Sequence, residues 1–105
     1  TLGPSPMEML LLGMGGCTVY DVVAILQKMR LPVEDVFVEL EAERADEPPK
    51  WFTKIHAKFT VVGDVPLEKA QDAVSLSADK YCSASRMFAK TAEIRHSVEV
   101  VAADA

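Results

Sequence analysis

Two side chains in this sequence can act as nucleophiles near neutral pH, Cys17 and Cys82, and a few others could assist them: Asp21, Glu8, Arg86 and the histidines His56 and His96. A thiol attacks only as its thiolate. Cys17 stands in the middle of SPMEMLLLGMGGCTVYDVVAILQKMR, Ser5 to Arg30, and no residue from Met9 to Tyr20 is charged. Apolar surroundings raise a thiol pKa, so taken alone Cys17 reads as a small hydrophobe. For Cys82, at the end of an expected helix before a polar loop, the inert and the reactive readings both stand. Asp21 follows Cys17 by one helical turn on the same face, and a carboxylate there disfavours the thiolate unless a cation offsets it. A positive group is therefore expected close by. Arg86, four positions after Cys82, is a candidate, although a solvated surface arginine is the simpler reading. Glu8 lies near the opposite face of the helix and about 13 Å along its axis, so it cannot easily reach its own Cys17.

The remaining chemistry is sparse. Two cysteines 65 residues apart match no zinc spacing, and no Gly-rich phosphate loop or internal repeat is present. His56 falls in a solvated row of a strand, with its near-neutral pKa as the only argument for chemistry. His96 shares a face with Ile94, Val98 and Val100 and has no Cys or acidic partner at metal spacing; it reads as a core or edge residue. A net charge of −5 and a pI near 4.9, with Lys and Arg scattered, argue against a nucleic-acid partner. No basic segment leads into an apolar stretch with a cleavage site, which points to a cytoplasmic protein without a membrane anchor.

The elements that must position the cysteines are legible from pattern. Ser5 as N-cap, Pro6 at the first helical position and Glu8 completing a capping box start a helix that runs to Arg30 and is closed by Pro32. It is apolar all round and so calls for cover on every side, and its uncharged run is too short to span a bilayer. Gly13, Gly15 and Gly16 each cost about 1 kcal/mol of helix propensity relative to Ala, which suggests close approach by another backbone. Val36, Val38, Leu40 and Ala42 alternate with Phe37, Glu39, Glu41 and Glu43, a half-buried strand. After an Asp46–Lys50 loop, Trp51 to Val62 alternates again, and the two strands should pair antiparallel with the acidic row facing Lys54, His56 and Lys58. An amphipathic helix from Pro66 to about Lys80, a short segment capped by Ser83, and a final strand Ala92 to Val101 complete the chain. At 105 residues, half of them hydrophobic, this is one small α+β domain, residues 1–105, with a long central buried helix, an antiparallel sheet and a second amphipathic helix.

The run GPSPMEMLLLGMGGCTVYDVVAILQKMR, then EAERADEPPKWFTKIHAKFTVVG, then DKYCSASRMFAKTAEIRHSVEV, resembles the OsmC/Ohr family of thiol peroxidases, and within it the OsmC-like branch. Its most specific parts are GGC at Cys17 and KYC at Cys82. The resemblance implies a peroxidatic Cys17 on a central helix, a resolving Cys82, an acidic helper at Glu8, and an intertwined homodimer with active sites at the interface. It also implies a redox enzyme of the oxidative-stress response that reduces organic hydroperoxides through a Cys17 sulfenic acid and a Cys17–Cys82 disulfide, with an external dithiol as reductant and no metal, flavin or nucleotide. Met9, Leu10, Met14 and Phe88 would line the substrate side.

Two departures from the family pattern accompany the match. Met7 occupies the place immediately after Pro6 where hydroperoxide-reducing members carry Glu, and Glu8 comes one later. The chain also starts after the family's N-terminal strands, which supply the thiolate-stabilising Arg. These departures favour a second reading, a non-catalytic dimeric domain that binds a small hydrophobic ligand between helices and keeps its cysteines as core.

Overall fold

A computed structural model of the chain describes residues 5–102, so the expected stub Thr1–Pro4 lies outside the described part. The order is α1 (Pro6–Lys28), β1 (Val33–Arg44), β2 (Phe52–Gly63), α2 (Leu67–Leu76), a π-helical turn (Ser77–Tyr81), α3 (Ser83–Phe88) and β3 (Glu93–Val101).

Helix α1 begins as its sequence demands. The Ser5 hydroxyl accepts from the Glu8 amide at 3.3 Å and the Ser5 amide donates to Glu8 Oε1 at 3.0 Å. The helix ends before Pro32 in a Schellman motif: Arg30 takes a left-handed conformation at φ 61°, its amide donates to the Gln27 carbonyl, and the Leu31 amide donates to the Leu26 carbonyl. At 23 residues and a mean hydropathy of 1.9 over its most apolar window, α1 is long and apolar enough to cross a membrane, which corrects the expectation from the shorter uncharged run. Here one side of it is packed against the core, with Met14, Val22 and Leu26 fully buried.

The sheet has the order β1-β2-β3. Strands β1 and β2 are antiparallel in the register that the charge rows require, with Glu39 opposite Lys58, Glu41 opposite His56 and Glu43 opposite Lys54. The Lys58 ammonium reaches diagonally to Glu41 at 2.9 Å. Strand β3 runs parallel to β2, so the sheet is mixed and the expectation of an all-antiparallel sheet is corrected. The physical reason is the connection: two helices and a turn between β2 and β3 carry the chain back to the starting end, as a parallel pair needs. The α+β class holds.

One face of the sheet carries Ile55, Ala57, Phe59 and Val61, all nearly or fully buried, and the helices cover it. Val22 and Leu26 pack there with Val74, Ala70 and Ala73 of α2. Nearer the start of α1, Met14 joins Phe52, Ile55, Ala92 and Cys82 in a second cluster, with Phe52 and Phe88 in edge-to-face contact at 5.6 Å. Gly63, at φ 138°, ends β2 where a Cβ would collide with the Pro32 carbonyl.

Burial of α1 is one-sided, so its own chain supplies only part of the cover that an all-round apolar helix calls for. Met9, Leu10, Leu12 and Tyr20 are between 55% and 76% exposed. The three glycines divide accordingly. A Cβ on Gly15 would stand 2.8 Å from Leu40 Cδ1 and 3.3 Å from Val38 Cγ1, so Gly15 marks the close approach of α1 to β1; Gly13 and Gly16 meet nothing within 4 Å. Replacing Gly15 with Val should force Leu40 and Val38 aside and lower unfolding stability by about 1–3 kcal/mol, read as a lower urea midpoint at unchanged slope.

Candidate thiol site

The site is assembled at the junction of α1, the π turn and α3. On α1, Cys17 and Asp21 occupy successive turns of one face at the seam between the buried and the exposed sides, and both are half-buried. Cys82 is fully buried between the π turn and α3. Its amide donates to the Ser77 carbonyl at 2.7 Å, closing the π turn, and its backbone is extended, which breaks the helix and lets α3 start. Cys82 also caps α3: its Sγ accepts from the Ser85 amide at 3.3 Å. The expectation that Ser83 would be the cap is corrected by one residue.

This arrangement brings together side chains that the sequence separates widely. The sulfurs of Cys17 and Cys82 and a carboxylate oxygen of Asp21 all lie within 4.8 Å of one another. Both cysteines are free thiols. The Asp21 carboxylate is oriented by the Ser77 hydroxyl, which donates to Oδ2 at 3.1 Å. Thr18, one position after Cys17, is buried and turns its hydroxyl back to the carbonyls of Met14 and Gly15, so it faces away from chemistry.

The electrostatics of the pocket do not activate Cys17. Burial first, then the hydrogen bond and the charge of Cys82, and last the charge of Asp21 push its thiol up to about 11, against the Ala84 amide, whose hydrogen bond pulls it down. The positive group expected near Cys17 is not among these influences; Arg86 is exposed.

The other candidates are placed as follows. Glu8 is exposed at the helix start, its carboxyl held below the usual range by the hydrogen bonds of Ser5. Of the expected apolar lining, Met14 and Phe88 belong to the cluster around the cysteines, whereas Met9 and Leu10 are exposed on α1. His56 is on the outer face of the sheet, 3.0 Å from the Ser97 hydroxyl. His96 is stacked against Phe59 at 6.1 Å, its Nε2 buried without a partner, and burial pushes its pKa down. An open groove of about 620 Å³ on that outer face, between Phe37, Lys58 and Glu99, is lined by neither cysteine.

Sequence reasoning missed Ser77 and the Ala84 and Ser85 amides, the groups that hold Asp21, Cys17 and Cys82 in place. Nothing in the spacing of Ser77 signals its partner, because the contact crosses from α1 to the π turn. The two amides follow from the extended backbone at Cys82, for which the sequence had offered Ser83 as the more ordinary cap.

Comparisons with known proteins fit this geometry. A family model described as OsmC-like protein matches residues 1–97. Protein YhfA of Escherichia coli K12 is 52% identical over 101 residues, which is 95% of this chain and 75% of YhfA. A solved structure of a hypothetical protein from Aquifex aeolicus VF5 has a TM-score of 0.92 at 36% identity, covering 97% of this chain and 77% of that one. An organic hydroperoxide resistance protein OsmC from Legionella pneumophila gives 0.78 at 18% identity, over 95% of this chain and 72% of that one, a likeness of fold.

With its thiol pushed up to about 11, Cys17 should alkylate slowly at pH 7, where only about one molecule in ten thousand is thiolate. In the single chain, with no second copy seated on α1, the iodoacetamide rate at Cys17 is expected to climb about tenfold per pH unit from pH 7 to 10. A plateau reached below pH 8 would contradict it.

Proposed function

Because the chain belongs to the OsmC-like family, we propose that it is a thiol-dependent reductase of organic hydroperoxides, with Cys17 as the attacking residue and Cys82 as the resolving one. The observation that carries this reading is the meeting of the two sulfurs, from distant parts of the chain, within 4.8 Å. The Cys17 thiolate attacks the outer peroxide oxygen and the O–O bond breaks. The alkoxide takes a proton and leaves as alcohol, and Cys17 becomes a sulfenic acid. The Cys82 thiol then displaces water to form the disulfide, and an external dithiol returns both to thiols by exchange. The apolar wall of Met14, Phe52 and Phe88 suits an alkyl or aryl substituent. A reducing, cytoplasmic setting belongs to this reading, since two free thiols persist there.

The reading includes a second copy of the chain. Cys17 lies at the edge of the exposed apolar side of α1, so a copy seated there would cover Met9, Leu12 and Tyr20, exclude water from the thiol and bring new charges to it. Glu8 joins as the acidic helper of the other copy's thiol, since its position along α1 keeps it from its own. Each large apolar side chain so covered contributes about 1.5–3 kcal/mol, against about 5–15 kcal/mol for a whole domain.

Two observations favour the second reading, a binding domain without catalysis. The thiol of Cys17 is raised, and a crevice of about 430 Å³ between α1 and α2, lined by Ala24, Ile25, Met29 and Leu76 with Asp21 and Lys28, would take a small, largely hydrophobic ligand.

Two experiments test these statements. Cumene hydroperoxide added to Cys82→Ser protein should give a sulfenic acid at Cys17, trapped by dimedone and located by mass spectrometry; an unmodified Cys17 would leave the binding reading. Leu12 is 58% exposed within one chain, so Leu12→Glu should cost the single chain little. By sedimentation velocity the wild type is expected as a dimer at micromolar concentration and Leu12→Glu as monomer or unfolded chain. A wild type that stays monomeric and folded would remove the second copy from the reading.

A further inference from the structure

We propose that the reduced pair Cys17 and Cys82, together with Asp21, forms a binding site for a borderline-soft divalent cation, of which zinc is the natural occupant. The sequence argued against such a site because the two cysteines match no zinc spacing, but spacing rules describe ligands on one local loop. Here the ligands come from the middle of α1 and from the break between the π turn and α3.

The first argument is donor geometry. The three ligand atoms lie within 4.8 Å of one another, and a tetrahedral zinc, with bonds of about 2.3 Å to sulfur and 2.0–2.2 Å to oxygen, needs them about 3.6–3.8 Å apart. Small side-chain rotations close that difference. Two sulfurs and one carboxylate oxygen leave a fourth position for water.

The second argument is that two of the three ligands are already oriented by hydrogen bonds from one short segment. The Ser77 hydroxyl holds the Asp21 carboxylate through Oδ2 at 3.1 Å. The Ser85 amide donates to Cys82 Sγ at 3.3 Å. Donors of this kind fix ligand orientation and ease the charge that builds on thiolate sulfur when a metal binds. In addition, the hydroxyl of Ser85, the residue whose amide holds Cys82 Sγ, is buried at 2% exposure without a hydrogen-bond partner.

The third argument is charge. A carboxylate beside two half- or fully buried thiols is a poor environment for free thiolates, and a dication reverses its sign. Binding converts two thiols and one carboxylate into ligands of total charge −3, releases two protons, and leaves a complex of net charge −1. The same sulfurs cannot be a disulfide and hold the ion, so oxidation of the pair abolishes the site.

This site does not depend on peroxide reduction. The test uses the full chain, reduced, freed of reductant and handled without oxygen, titrated with cobalt(II) as the spectroscopic stand-in for zinc. One equivalent should produce a thiolate-to-cobalt charge-transfer band in the near ultraviolet and release about two protons per ion, and one equivalent of zinc should remove the band. Cys17→Ser and Cys82→Ser should each abolish or strongly weaken it. Because Cys82 is buried and its replacement could disturb folding, Asp21→Asn, checked for native circular dichroism, is the second variant, with an expected loss of affinity of at least 10–100-fold. Absence of the band in folded, reduced wild type, or a band unchanged in all three variants, overturns the proposal. A protein that shows the band yet gives no sulfenic acid with hydroperoxide keeps the metal site and loses the peroxidase reading; the converse result keeps only the latter.

Discussion

A helix that is apolar around its whole circumference cannot be satisfied by one three-stranded sheet, and most of the architecture follows from that mismatch. The sheet and α2 bury one side of α1, the stripe through Met14, Gly15, Thr18, Val22 and Leu26. Gly15 lets the helix settle so close to β1 that the Leu40 and Val38 side chains fill the place of a missing Cβ. On the opposite side Met9, Leu12 and Tyr20 remain exposed, and the small residues Gly13 and Gly16 lie among them with open space around them. A face of this composition, flat at its centre and apolar at its rim, is suited to another helix at short distance.

The cysteines sit where these two demands meet. Cys17 belongs to neither face fully, and that is what exposes its sulfur to chemistry while keeping it partly desolvated. Cys82 is brought up to it by a local irregularity. The π turn widens the end of α2 and its closing hydrogen bond, from Cys82 to Ser77, aims the chain toward α1; the extended backbone at Cys82 then starts a new helix whose Ser85 amide donates to the Cys82 sulfur. Side chain and backbone act together there, and deleting the irregularity would leave a longer α2 with Cys82 turned elsewhere.

Local structure was legible because its causes are local. The capping box at Ser5 and Glu8, the charge rows that set the register of β1 on β2, and the amphipathic stripe of α2 all depend on neighbours in sequence or on a hairpin's partner strand. The direction of β3 was not legible from alternation, which is the same for parallel and antiparallel strands; the long helical connection before it was the better signal. The site was half legible. Cys17 and Cys82 stood out by type, and the family resemblance paired them, but the role of Asp21 changed once its distance to both sulfurs was known. Ser77 and the amides of Ala84 and Ser85 acquire meaning only from tertiary placement. The demand of α1 for cover was legible, but hydrophobicity reports that a surface wants cover and says nothing about which chain supplies it.

The thiol pair is left with an electrostatic demand that none of the influences on Cys17 among the described residues meets. Burial, a second sulfur and a carboxylate all push the Cys17 thiol upward, and the Ala84 amide opposes them only in part. A nucleophilic thiolate needs the opposite sign of field. Two kinds of positive charge could supply it within the geometry described, a basic side chain from a second copy seated on α1 or a dication held by the three ligands, and they have opposite consequences. A basic side chain lowers the thiol pKa and leaves the sulfur lone pairs free to attack peroxide. A dication also deprotonates the thiols but occupies those lone pairs, so it protects the pair from oxidation. The position of Asp21 discriminates between the two in physical terms: beside a free thiolate it is a liability, whereas beside a bound cation it is a ligand, already oriented by Ser77 and within reach of both sulfurs.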